Sequence, residues 1–195
     1  MTTVRNSLAA SLMVALLVGG SAAVGYARWT RAIADADQAL ADGQWDRALT
    51  TYARVERQFD RVPAAKQVLA SDYNRVVANQ LWLCYRLQRY DDLIDKAGRA
   101  PESATPHLWS GLAFFAKGRA ETKPDGQLGW LTRSEEELRR AVEAAPSDWD
   151  TKYDFELVTR LAAQLRKQPA TPPNQLMQLL RPQPKVGPKP GRHVG

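Results

Sequence analysis

The sequence predicts an all-α fold, a short solenoid of about three helical hairpins closed by a capping helix. Three observations carry that prediction. Apolar residues recur at i, i+3, i+4 and i+7, as in Leu138, Ala141, Val142 and Ala145, which lays one stripe along a helix face. The helical stretches are separated by tight turns at Asp42-Gly43, Gln88-Arg89 and Pro146-Ser147. Finally, an aromatic follows each of the first two turns, Trp45 two residues after Gly43 and Tyr90 directly after Arg89.

The chain begins with a short polar segment, residues 1–7, that contains Arg5. Residues 8–27 then run for about 20 residues without a charge, enough to span a hydrocarbon core at 1.5 Å per residue. Ser21-Ala22-Ala23 offers a small-x-small cleavage site, so a signal peptide is the rival reading. The apolar run continues past that site to Arg28-Trp29, an interfacial pair, which favours an uncleaved transmembrane anchor. Arg5 on one side and Arg28 and Arg31 on the other barely set an orientation. A short N-terminus before a large C-terminal domain points to export of that domain.

Amphipathic character begins at Thr30. Residues 32–41 form the first helix and residues 46–59 the second, with Gly43, Trp45, Ala48, Tyr52 and Val55 between and along them. A small residue at the turn lets the helices approach, an aromatic covers the hairpin end, and Ala48 and Tyr52 alternate small with large. The second helix is prolonged through Pro63. The next hairpin pairs residues 71–87, with Tyr73, Val77, Leu81, Cys84 and Leu87 on one face, with a helix carrying Tyr90, Leu93 and Ala97.

The third hairpin starts at Thr105-Pro106, threonine at the cap and proline in the first turn. Its stripe is Trp109, Leu112, Ala113 and Ala116. Gly118 should open the turn, but residues 119–133 intervene as an insertion with a Pro124-Asp125-Gly126 turn, and the partner helix begins at Ser134. Pro146 stops that helix and Ser147 caps the next. In the terminal helix Trp149, Tyr153, Leu157, Leu161 and Leu165 step by four along one side, and Lys152, Asp154, Glu156, Arg160 and Gln164 give the polar outer face an end repeat needs.

The formal charge of +6 does not belong to this domain, residues 28–165. Six Lys and Arg and no acids follow position 165, so the rest of the chain balances at 21 of each sign. Seven of the 12 prolines also fall in residues 166–195, which therefore read as a disordered, basic tail. Inside it, Leu176, Met177, Leu179 and Leu180 form an apolar island, suited to docking on a partner or on the protein's own terminal helix. The tail has no aromatics to stack bases, so no nucleic-acid partner is expected.

These spacings resemble tetratricopeptide repeats, at Gly43, Trp45, Ala48 and Tyr52, at Tyr90 and Ala97, and at Trp109, Leu112, Ala113, Leu138, Ala141 and Pro146. Asp148-Trp149-Asp150, Tyr153 and Glu156-Leu157 after a proline turn further resemble the last repeat of MxaK-like membrane-anchored proteins, encoded beside MoxR-type AAA+ ATPases and von Willebrand factor A proteins. That resemblance implies a scaffold for assembling or activating a periplasmic or membrane complex, with those two kinds of protein as partners. Asp91, Asp92, Asp148 or Asp150 would then be the carboxylates available to a von Willebrand metal site, against the plainer reading that they stabilise helix N-termini.

No catalytic set is visible. Asp91-Asp92 and Glu135-Glu136-Glu137 sit at helix starts, where acids are ordinary. Cys84 is the only cysteine and lies on an apolar face, and His107 and His193 lack ligand spacing with it, so neither a disulfide nor a metal or cofactor site is expected. The tryptophans at 45, 82, 109, 130 and 149 read as core. Trp130 is set apart by its place in the insertion, which makes it, with the tail island, a candidate partner contact. The alternative function is a cytoplasmic-facing adaptor whose basic tail holds anionic lipid or another polyanion.

Overall fold

The computed structural model describes residues 2–167, with side chains described at Met13, Gly19 and Gly20 and from Ala23 onward. Among the described residues eight helices follow one another: α1 Thr2–Ala41, α2 Trp45–Arg61, α3 Pro63–Val68, α4 Ala70–Arg86, α5 Tyr90–Ala97, α6 Ala104–Ala120, α7 Pro124–Ala144 and α8 Trp149–Lys167. The pairs are α1 with α2, α4 with α5 and α6 with α7. Each hairpin also packs on the next, α2 against α4 and α5 against α6, and α8 closes the row against α7. α4 meets α6 directly and reaches α1 through the Arg75–Asp37 bond, so the first helices of the pairs share one side of the array.

The first two turns are built identically. After α1, the amides of Asp42, Gly43 and Gln44 donate to the carbonyls of Gln38, Leu40 and Ala39; after α4, those of Leu87, Gln88 and Arg89 donate to Leu83, Tyr85 and Cys84. The six-to-one bond in each set terminates the helix and requires a left-handed residue. Gly43 supplies it at φ +71° and Gln88 at φ +57°. Nothing lies within 4 Å of where a Gly43 Cβ would stand, so the glycine is needed for its dihedral rather than for close helix approach. Close approach is instead the role of Gly111, where a Cβ would sit 2.7 Å from Leu138 Cγ. Beside it Ser134 Oγ, fully buried, donates to the Gly111 carbonyl at 2.7 Å and ties α7 to α6.

One core, running from Ile33 through Tyr52, Phe59, Leu81 and Leu93 to Ala113, joins the first two hairpins to α6. A second, around Leu131, Leu138, Val158 and Ala162, joins α6, α7 and α8. Trp29, expected as an interfacial residue, belongs to the first core: its ring stacks on Phe59 with centroids 5.5 Å apart. α1 runs as one helix through the boundary between residues 8–27 and 28–165. Among the described residues no helix is long and apolar enough to cross a membrane. Most side chains of the expected anchor, residues 8–27, lie outside those described, as does the tail from residue 168.

Four further expectations are corrected. The chain does not continue α2 through Pro63, which begins the separate helix α3 at its first turn. The third hairpin holds no loop insertion: only Glu121, Thr122 and Lys123 separate α6 from α7, and Pro124 opens α7 at a position where its missing amide costs nothing. Asp148, not Ser147, caps α8, its carboxylate accepting from the amides of Asp150 at 3.1 Å and Thr151 at 3.4 Å and from Thr151 Oγ1 at 2.8 Å. The fourth concerns the stripe on α8. Trp149 is 76% and Tyr153 68% exposed, while Thr151, Val158 and Ala162 are buried. A four-residue step advances about 40° beyond a full turn, so positions 149 and 165 lie about 160° apart and cannot share one buried face.

The two turns give a direct test. Gln88→Gly should stabilise the fold by about 1 kcal/mol and Gly43→Ala should cost about the same, because only the left-handed strain of a side chain changes. Urea midpoints of the two variants measure both.

Candidate partner-binding face

The side shared by the first helices is where chemistry capable of recognition gathers. Its first element is a polar network spanning three helices. Tyr52, on α2 and fully buried, donates its hydroxyl hydrogen to Asp37 Oδ1 on α1 and accepts at 2.8 Å from Asn79 Nδ2 on α4. Arg75, also on α4, donates to Asp37 Oδ2 at 2.6 Å and to Asp72 Oδ1 at 3.4 Å. Burial, and the Asp37 carboxylate beside it, hold the Tyr52 phenol protonated far above its ordinary range. This network is satisfied internally and is architecture.

The second element is aromatic and open. Trp45 meets Trp82 edge-on at 6.5 Å, and the exposed Arg86 guanidinium lies 4.8 Å from the Trp45 ring and 5.9 Å from Trp82. Farther along, Tyr85 packs between Tyr90 at 5.7 Å and Trp109 at 5.4 Å. Burial, then the neighbouring Tyr90 and the charge of Asp154, push the Tyr85 phenol up. Trp45, Trp82 and Trp109 are half-buried, short of the full burial expected of them. Among the described residues Arg86 forms no ion pair, although every helix from α4 to α8 carries at least one paired cation. An unpaired guanidinium over indole rings fits a carboxylate on a partner, whose charge Arg86 meets while the rings take its apolar neighbours.

Other clusters are already occupied. His107, its side chain 12% exposed, holds Glu137 through Nδ1 at 2.8 Å and Glu102 through Nε2 at 2.7 Å. Burial lowers the His107 pKa, but the two glutamates outweigh it and the net direction is up. A cleft of about 640 Å³ is lined by Phe114, Arg133, Glu135, Glu136, Arg139 and Phe155 among others. Its carboxylates are spent on Arg139, Arg140 and Arg166, so few polar atoms remain to fix a ligand. Burial pushes the Cys84 thiol up, which leaves it inert. Among the described residues no three His, Cys, Asp or Glu side chains gather as metal ligands.

Of the carboxylates considered for a metal-dependent partner, Asp91 pairs with Lys117, Asp92 with Arg89 at 2.7 Å, and Asp148 caps α8. Asp150 is exposed. Trp130 sits in helix α7, half-buried, its ring 6.0 Å from Phe114, with Lys117 Nζ at 4.5 Å and Arg133 at 5.1 Å. Leu176, Met177, Leu179 and Leu180 lie outside the described residues. Sequence reasoning missed Arg86, because nothing in a linear stretch shows that it stands over Trp45, which is 41 residues away.

No protein-family model matches the chain, and no curated protein matches it. A solved structure does: the first TPR domain of the human RPAP3 protein, determined by NMR, with a TM-score of 0.50 and 13% sequence identity. The likeness covers 72% of this chain and 96% of that one. The chain therefore has an all-helical, TPR-like solenoid fold, as its spacings predict.

Two outcomes follow. Tyr52→Phe should lower the unfolding free energy by about 1–3 kcal/mol, since Asp37 and Asn79 each lose a partner inside the array. A protonated His107 stabilised between two glutamates contributes stability that is complete below its unfolded pKa, about 6.5, and lost as pH rises through the higher folded value. The urea midpoint should thus fall from pH 6 to pH 8.5 in the native chain, and His107→Gln should remove that part of the slope.

Proposed function

We propose that this chain is a non-catalytic, membrane-tethered scaffold that holds a partner protein on its first-helix face during assembly or maturation of a periplasmic or membrane complex. The observation that carries the reading is Arg86, unpaired among the described residues and set over Trp45 and Trp82. A TPR-like array offers an extended, rigid surface for a protein segment, and this one ends its aromatic strip in a cation. The partner segment is acidic and carries an apolar side chain beside the acid. Tethering agrees with the uncharged run at residues 8–27 and with Val24 and Tyr26, 63% and 52% exposed on α1 before the core begins. Confinement to a membrane raises the effective concentration against neighbours there. The resemblance of the α8 region to MxaK-like proteins supports a von Willebrand factor A protein and a MoxR-type ATPase as the partners.

The test uses the full chain in its native membrane, with a photo-crosslinking phenylalanine analogue replacing Trp82. Adducts with a von Willebrand A or MoxR-type protein, reduced at least about tenfold by Arg86→Glu, are expected. Equal labelling from a probe at Thr50 on the second-helix side would overturn the assignment. A periplasmic reporter fused after Gly195 should be active. A silent periplasmic reporter with an active cytoplasmic one would replace the exported scaffold by the cytoplasmic lipid-tethered adaptor.

A further inference from the structure

The terminal helix carries two apolar faces, and only one is covered. Phe155, Val158 and Ala162 pack against α7 and α6, and Thr151 is buried on the same side. On the opposite side Trp149 and Tyr153 stand in solvent one turn apart, followed by the half-buried Leu157. Lys152 Nζ, 4.4 Å from the Trp149 ring, is the cation found against this patch. Acids surround the same end: Asp148, Asp150 and Asp154 fall within two turns, and burial together with the charges of Asp150 and Asp148 pushes the Asp154 carboxyl up. An occupant must therefore be apolar and must bring positive charge to the N-terminal end of α8.

We infer that the occupant is the chain's own segment around Leu176, Met177, Leu179 and Leu180, folded back antiparallel onto α8. The distances permit it. Leu157 lies ten residues before Lys167, about 15 Å along the helix axis, and neighbouring helix axes are about 8–10 Å apart. The nine steps from Lys167 to Leu176 reach about 30 Å when extended. Leu176 beside Leu157 then brings Leu180, as one helical turn, beside Tyr153. Proline at 182 ends the turn there.

Charge fixes the direction. In the antiparallel arrangement Arg181 and Lys185 come next to Asp154 and Asp150. In the parallel one they would meet Arg160, Arg166 and Lys167 at the far end of α8. The segment between, Gln168 to Gln175, holds three prolines and no charge, which suits a reversal and no second helix. The tail is thus a cover for the open end of the array, held by apolar contact and steered by its cations.

The experiment uses the full chain with Tyr153→Cys and Leu180→Cys, oxidised at low concentration, Cys84 being buried. An intramolecular disulfide, identified by mass spectrometry of the monomer band, is expected. It should form at least about tenfold faster than in a control pairing Leu180→Cys with Arg119→Cys on α6. Arg181→Glu with Lys185→Glu should slow it about fivefold or more. Equal rates in the control pair would overturn the proposal, and so would disulfide-linked dimers, which would make a second copy the occupant. Amide exchange on the unsubstituted chain gives an independent reading. Residues 176–180 should exchange at least about tenfold more slowly than residues 185–192, and uniform exchange overturns the fold-back whether or not the cysteine variants fold. None of these readings depends on Arg86, so they separate this proposal from the partner-binding one.

Discussion

The array depends on one buried oxygen. The Tyr52 hydroxyl is the point at which α1, α2 and α4 are joined, donating to Asp37 and accepting from Asn79, with Arg75 closing the circuit on Asp37. A helical-hairpin solenoid has no sheet to fix its register, and apolar packing alone leaves neighbouring helices free to slide by a turn. A hydroxyl with one donor and one acceptor partner, on two different helices, has a single arrangement that satisfies it. The neighbouring core is apolar, with Val55, Phe59 and Val76 fully buried, so any other register would leave a polar atom unpaired at a cost of about 1–3 kcal/mol. Lys96 makes the matching tie on the other side of the array, bonding Glu56 at 2.5 Å from α5 to α2.

With that register set, the turns decide how the hairpins present their aromatics. Gly43 and Gln88 put Trp45 and Tyr90 at equivalent hairpin ends. Each then meets a residue of α4, Trp45 against Trp82 and Tyr90 against Tyr85. The strip that carries Arg86 is thus a product of the repeat itself. One turn chemistry used twice places an aromatic on either side of the same helix. In the third hairpin Glu121 replaces this device, its carboxylate accepting from the amides of Thr122 at 2.9 Å and Lys123 at 3.0 Å just before α7 begins. No aromatic is delivered there, and the strip stops at Trp109.

The hairpin order was legible because burial at Ala48, Tyr52, Val55, Leu81, Cys84 and Leu93 follows the helical period closely. Three features were not. Pro124-Asp125-Gly126 reads equally as a reverse turn and as a helix start, since proline's fixed φ suits both, and only the packing of Leu131 and Ser134 on α6 selects the helix. The α8 stripe failed because a strict four-residue step drifts around the helix, so its two ends report different environments. The guanidinium over Trp45 was invisible because it is a tertiary contact between residues that no local pattern links. The anchor and the tail island are compositional readings, and they stand on composition.

That drift on α8 has a structural consequence. A helix in the interior of a solenoid is apolar on a wide arc because it meets two neighbours, and an end helix is expected to be polar on the arc that faces nothing. α8 does both along its length. Near its C-terminus the outer arc carries Arg160 and Gln164, Arg160 bonded to Glu156 at 2.5 Å, as an end helix should. Near its N-terminus the same arc carries Trp149 and Tyr153, as an interior helix would. The array is thus closed over half of its last helix and open over the other half. The open half is the one beside Asp150 and Asp154, and a basic, leucine-bearing segment follows within reach in the same chain.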